Sequence, residues 1–265
     1  GGQTDSTWND GRCANARGEV FNIAQKLDAT VDVVFSGHTH QGYNCTVNGK
    51  VVMQAFAFGR GISQVDLTLD PATRDIDRSK TVALNVPVVN DTNTAAVAAA
   101  FPPVAPDAAV AAIVRDYVAL TAPKANRVIG RIASAVVRTP EATSVGDHPA
   151  GRLIADSQLA ASRAADRGGA VIAFMNPGGV RADFACTGGP CNLTFGQAFT
   201  VQPFGNSLVV MTLTGAQIKT LLEQQALGVN AASPRILQPS VGFSYTWTRT
   251  AADGARATDL RLNGT

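Results

Sequence analysis

The sequence predicts a two-domain chain of the α/β (α+β) class, and three observations carry that prediction. Helical and strand-like periodicities mix along all 265 residues with no internal repeat. A run rich in Asn, Asp, Thr and then Ala, followed by Pro102, Pro103 and Pro106, breaks the pattern at about residues 90–106. The chemistry-bearing residues gather where short β-branched runs end in glycine, the place where α/β folds build their sites. The expected organisation is a first domain over 1–90, a linker and connecting helix over 91–126, and a second domain over 127–265.

Composition bounds the function. Hydrophobic residues make up 45% and charged residues 16%, which describes a globular chain rather than a disordered one. A net charge of +2 is too small to draw nucleic acid or an anionic membrane surface, so no nucleic-acid partner is expected. No apolar run approaches the ~18 residues needed to cross a bilayer.

In chain order, residues 3–17 are polar and read as a loop. Val20, Phe21, Ile23, Ala24 and Leu27 fall at helical spacing, and Val31–Phe35 reads as a buried strand. Asn48-Gly49 between two β-prone runs predicts a hairpin with a type I′ turn. Val65, Leu67 and Leu69 alternate with polar residues as in a half-buried strand; a turn at 70–73 and a strand over 81–89 follow. Asp107 is placed to cap a helix with Val110, Ile113, Val114, Tyr117 and Val118 on one face.

In the second domain, 128–137 has strand character and 151–167 reads as a helix facing inward with Leu153, Ile154, Ser157 and Ala161. Strands are expected at 171–174 (buried), before the turn at Pro203, and at 208–213. Thr214 and Gln217 make a capping box for the next helix, and 243–247 alternates as a last strand. The chain starts inside a loop and stops at an Asn-Gly turn signal, so a piece cut from a longer protein is expected.

Four cysteines are present. Cys186 and Cys191 flank Thr-Gly-Gly-Pro, a turn that can close a small disulfide loop, and Cys13 can pair with Cys45. This pattern favours disulfides and an oxidising compartment over four buried free thiols. Neither pair has the Cys-x-x-Cys spacing of a zinc site.

Ser36-Gly37-His38-Thr39-His40-Gln41 holds two of the three histidines, just after a strand. Imidazoles two apart in a loop can serve two different metals about 3.5–4 Å apart, the arrangement that clamps a transferring phosphoryl group. The alternative is a pair of surface histidines, or one packed on Phe35. Asn176-Pro177-Gly178-Gly179-Val180-Arg181 offers backbone N–H groups and an Arg for an anion; the alternative is a tight turn with a solvated Arg. Phe204, between Pro203 and Gly205, offers a ring for stacking on a base; the alternative is a core Phe. His148 reads as a surface or capping residue, Asp156 and Asp183 as structural partners, and Arg60 as a solvated turn residue. Arg152 opens its helix where it can meet an anion or an acidic neighbour.

Together these motifs resemble the 5′-nucleotidase family. Ser36-Gly-His-Thr-His is similar to the last metal motif of calcineurin-like metallophosphatases. Gly151-Arg-Leu-Ile-Ala-Asp156, Asn176-Pro-Gly-Gly-Val-Arg181 and Val201-Gln-Pro-Phe-Gly-Asn206 resemble the family's C-terminal domain in order and spacing.

The resemblance implies the end of a metallophosphatase β-sandwich layered with helices, a linker helix, and a truncated α/β substrate-binding domain. It implies hydrolysis of nucleotide phosphoesters with two divalent cations, zinc, manganese or similar, and a nucleotide or nucleoside as partner. His38 and His40 then stand for the last two metal ligands. Asn176, Gly178, Gly179, Arg181 and Phe204 stand for substrate contacts, with Arg138 as the candidate for a further Arg. The family's earlier metal motifs have no counterpart in this sequence. No catalytic residue is therefore carried over, and the chain alone is expected to be inactive. Alternatives are a UDP-sugar hydrolase, a 2′,3′-cyclic-nucleotide phosphodiesterase/3′-nucleotidase, or a non-catalytic nucleoside-binding surface module. A secreted, periplasmic or cell-surface location is expected.

Overall fold

A computed structural model describes residues 1–90, 99–139, 146–231 and 234–265. Helices and strands mix throughout, in several small sheets. Two compact units divide the chain, Gly1–Ile113 and Val114–Thr265. Residues 91–98 of the expected linker lie outside the described residues.

In the first unit, helix α1 (Glu19–Lys26) buries Val20, Phe21 and Ala24. They pack with Tyr43, Cys45 and Val52 into one core cluster. Strands β1 (Val33–Phe35), β2 (Gly42–Val47) and β3 (Lys50–Ala55) form a sheet in the order β1-β3-β2. The β2–β3 hairpin turns at Asn48 and Gly49, with φ of 48° and 74°, as a type I′ turn requires. β1 departs from expectation. It is short, half-buried and paired in parallel to β3 alone, and Phe35 faces solvent. A strand at the edge of a sheet has a neighbour on one side only, so its apolar run is not covered as a central strand's is.

β4 (Gly61–Asp66) pairs with β7 (Val82–Pro87), and the short β5 (Leu69–Asp70) and β6 (Asp75–Ile76) make a hairpin between them. The strand read around Val65 starts earlier and ends at Asp66. Leu67 and Leu69 lie past its end and are exposed, so the alternation stops where the ladder stops.

Asn85 on β7 ties this unit together. Its buried amide donates to the carbonyls of Tyr43, Trp8 and Gln54, and its Oδ1 accepts from Ser63 Oγ at 2.6 Å. The Asn9 side chain closes on the Asn85 backbone, accepting from its N–H and donating to its carbonyl. Cys13 is bonded to Cys45, with their Cα atoms 5.7 Å apart.

Helix α2 (Ala108–Ala125) starts as expected, with Asp107 Oδ1 accepting from the N–H groups of Ala109 and Val110. The boundary between the two units falls within it. Its apolar face (Val110, Ile113, Val114, Tyr117, Val118) stays exposed.

In the second unit, β8 (Val128–Ile132) pairs with β10 (Cys191–Thr194), and Cys186 is bonded to Cys191. Helix α3 (Pro149–Ser162) follows an N-cap at His148. It buries Ala150, Gly151, Ile154, Ala155, Leu159 and Ser162. Of the inward face read from the sequence, only Ile154 is buried; Leu153, Ser157 and Ala161 are exposed. Small residues choose the face here. A Cβ at Gly151 would stand 2.4 Å from the Gln238 side chain, so close approach outweighs the size of Leu153. The core on this face adds Met175, Val180, Phe184 and Val201.

The expected strand at 171–174 is reduced to β9 (Phe174–Met175), paired with β11 (Gln238–Pro239), and Val171 is exposed. No strand precedes Pro203; helix α4 (Phe195–Val201) does, started by a Thr194–Gln197 capping box. Residues 208–213 are exposed and in no ladder, so that expected strand is absent. Helix α5 (Gly215–Glu223) begins at the expected Thr214–Gln217 box. β12 (Phe243–Trp247) shows the expected alternation and pairs with β13 (Ala257–Leu262). Both bury apolar residues against Leu222, Ala226 and Ile236.

Candidate functional site

The His loop is anchored by Ser36 before its imidazoles and by Thr39 between them. Ser36 N donates to Met53 O at 2.9 Å, and Ser36 Oγ bonds Tyr43 OH and Gln54 Oε1. Thr39 Oγ1 donates to Gly2 O at 2.7 Å and accepts from Gln54 Nε2 at 2.9 Å. Tyr43 and Gln54 are buried, and burial pushes the Tyr43 phenol above its usual pKa, so it stays a neutral partner for Ser36. His38 and His40 both take the left-handed conformation, with φ of 76° and 59°. His38 is exposed and His40 half-buried.

His40 meets Phe58 edge to face with centroids 5.1 Å apart, and Phe58 is 82% exposed. Arg60 stands over the same ring at 5.7 Å. Sequence reasoning missed Gln54 and Phe58. A Gln inside the apolar run Val51-Val52-Met53 was the available signal for the first. An aromatic beside Gly59 was the signal for the second.

Among the described residues, no three or more His, Cys, Asp or Glu form a group that could hold a metal ion. Two imidazoles supply at most half of a tetrahedral shell. The residues present therefore do not by themselves compose a metal centre.

In the second unit, Asn176 leads from β9 into a 3₁₀ turn over Pro177–Gly179. A Cβ at Gly179 would stand 2.1 Å from Met175 Cε, the end of a flexible side chain, so the buried Met175 would have to move to admit one. The backbone donors are less open than the Gly-Gly pair implied. Gly179 N donates to Asn176 O, Val180 N to Pro177 O, and Arg181 N to Val201 O. With the N–H groups of Gly179, Val180 and Arg181 used in these bonds, the Arg181 side chain is the turn's charged means of meeting an anion.

The last of those bonds, at 2.7 Å, ties the turn to the end of α4 and brings Arg181 to Phe204. The guanidinium lies 5.2 Å from the ring centroid, and the ring is 40% exposed. The backbone N–H of Arg138 donates to Asp183 Oδ1 at 2.8 Å, and the Arg138 charge acts on His148. Arg152 pairs with Asp147. Asp156 accepts from Val241 N, so Asp156 and Asp183 both serve backbone groups.

His148 is buried and caps α3, its Nδ1 accepting from Gly151 N at 3.0 Å. Burial first, then the Arg138 charge, hold its pKa below the usual value; Arg152 adds to this while Asp147 and Asp183 oppose it. The neutral imidazole is the form that caps.

Residues 128–265 match the family described as 5′-nucleotidase, C-terminal domain, just over half of the chain. Among curated proteins, the chain is 31% identical over 245 residues to "Endonuclease YhcR" of Bacillus subtilis, covering 92% of this chain and 18% of that protein. It is 31% identical over 256 residues to "Cell wall protein Lmo0130" of Listeria monocytogenes, covering 91% of this chain and 30% of that protein. The chain thus spans less than a third of either relative. A solved structure from Staphylococcus aureus, provisionally named a 5′-nucleotidase, in complex with α-ketoglutarate, shares the fold with a TM-score of 0.62 at 16% identity. That match covers 94% of this chain and 46% of the other.

Proposed function

The chain belongs to the 5′-nucleotidase family through residues 128–265, and from that premise we propose that it is the nucleotide-recognising part of a secreted or surface-attached phosphoester hydrolase. The observation that carries this reading is the contact between Arg181 and Phe204. A cation and a half-exposed ring on adjacent loops suit a ligand that is anionic at one end and planar at the other, which is the chemistry of a nucleotide. Asn176, Gly178 and Gly179 shape the turn that carries Arg181. Arg138 is assigned a supporting place at Asp183, beside the capped start of α3.

The first unit, on this reading, is the closing part of a metallophosphatase domain, residues 1–90, with 91–126 as linker and helix. His38 and His40 then contribute one imidazole each to two divalent cations of the zinc or manganese type. The two imidazoles alone leave that shell incomplete, so the isolated chain binds nucleotide without hydrolysing it. A location outside the cytoplasm is supported by both disulfides and by the cell-wall name of one relative.

Calorimetry of the chain with a nucleoside 5′-monophosphate, the free nucleoside and inorganic phosphate tests the recognition. The monophosphate is expected to bind tightest; equal binding of phosphate alone would leave Phe204 without a role. Offering a monophosphate, a UDP-sugar and a 2′,3′-cyclic nucleotide with Mn²⁺ or Zn²⁺ tests the rest. No turnover is expected, and sustained hydrolysis by pure chain sinks the view that its metal shell is incomplete.

A further inference from the structure

We propose that the surface formed by Lys124, Arg127, Phe195 and Phe199 is a docking face for single-stranded nucleic acid. It goes beyond the nucleotide reading above and does not depend on it.

The cluster lies within the second unit and is held by backbone contacts. Phe195 N donates to Arg127 O at 2.9 Å, which fixes the start of α4 against the chain after α2. Phe195 and Phe199, one helical turn apart, stack with centroids 6.2 Å apart and planes 23° from parallel. Lys124 Nζ stands 5.3 Å and the Arg127 guanidinium 6.0 Å from the Phe195 centroid. Phe199 is 54% exposed, so one ring of the stack is open to a further planar group.

The local charge is one-sided. From Tyr117 to Pro140 the sequence holds four basic residues and no Asp or Glu, and from Phe184 to Leu222 it holds no acid at all. Among the described residues no ion pair uses Lys124 or Arg127. The net charge of +2, read from composition as too small for nucleic acid, averages over this uneven distribution. Cations that track a backbone, beside aromatic rings that take base faces, are the elements of sequence-tolerant single-strand binding. A duplex hides its base faces from such rings, and an acidic peptide has no use for them.

The test is fluorescence anisotropy of a labelled oligo-dT 12-mer with the full chain across a salt series. Binding is expected with a slope of log K against log salt of about −1.4, two phosphate contacts on a single strand. Lys124→Ala with Arg127→Ala should flatten that slope. Phe199→Ala should weaken binding by roughly five- to 150-fold, the range of one base–aromatic stack, with Phe199→Tyr restoring it. Circular dichroism checks that each variant is folded. Three outcomes overturn the proposal. One is no binding at low salt. Another is polyphosphate binding as tightly as oligo-dT with Phe199→Ala neutral. The third is Arg181→Ala removing the strand as fully as Phe199→Ala does, which would place it at the nucleotide site instead. Mononucleotide binding that survives while oligo-dT fails leaves the proposed function standing and removes this inference alone.

Discussion

The Arg181 guanidinium stands 5.2 Å above the centre of the Phe204 ring, and a single backbone bond from Arg181 N to Val201 O fixes the distance between their loops. If the pair holds a nucleotide, its two halves fail differently. Phe204→Ala should weaken nucleoside binding by about 1–3 kcal/mol, the worth of one base stack, and leave phosphate affinity alone. Arg181→Lys should weaken the monophosphate selectively, because an ammonium cannot offer the planar fork of a guanidinium. Calorimetry with nucleoside and monophosphate separates the two. Unchanged affinity in both variants would move the nucleoside off this pair.

His148 makes stability depend on pH. Its folded pKa lies below the unfolded value of about 6.5, so the unfolded chain binds the extra proton first. The stabilisation is complete above pH ~6.5 and is lost as pH falls below it. Melting temperatures at pH 7.5 and pH 5 should differ for this reason. His148→Asn keeps a capping oxygen and removes the titration, so it should narrow the gap. An unaltered gap would assign the pH dependence to other groups.

Reduction should cost the first unit more than the second. Cys13–Cys45 closes 32 residues of separation and Cys186–Cys191 only 5, so chain entropy gives about 4 and about 2 kcal/mol respectively. Melting Cys13→Ser/Cys45→Ser beside Cys186→Ser/Cys191→Ser checks the order. A reversed order would mean that the loop at 3–17 is held mainly by Asn9 and Asn85.

Asn85→Ala should destabilise the first unit by roughly 3 kcal/mol, since it leaves several buried carbonyls without their donor. Asn85→Asp removes the same donor and should behave alike. Urea titration followed by Trp8 fluorescence, in a Trp247→Phe background, reads this unit. A loss below 1 kcal/mol would mean that water replaces the amide.

Local signals carried much of the fold. Asn48-Gly49, Asp107 and Thr214-x-x-Gln217 each act through backbone geometry within four residues, and each forms what its sequence predicts. Thr194-x-x-Gln197 is the same signal, yet the bulky Phe199-Thr-Val201 that follows reads equally well as a strand. Non-local choices were not legible. The inward face of α3 is set by Gln238, far along the chain, and exposure at 208–213 reflects a missing ladder partner rather than any local preference. At the site, the motif spacings picked out His38, His40, Arg181 and Phe204. The use of the Gly179 donor inside its own turn, and the backbone bond from Arg138 to Asp183, depend on contacts that no spacing encodes.

The anchoring of Ser36 and Thr39 by Gln54, Tyr43 and Gly2 has a consequence for the imidazoles of His38 and His40 beside them. These bonds fix the backbone of the loop, so little of its conformational freedom remains to be lost when a ligand reaches His38 and His40. The backbone that carries the two rings is pre-organised by Gln54, Tyr43 and Gly2 rather than by the histidines themselves. Affinity there should respond to changes at Gln54 almost as it does to changes at the histidines themselves.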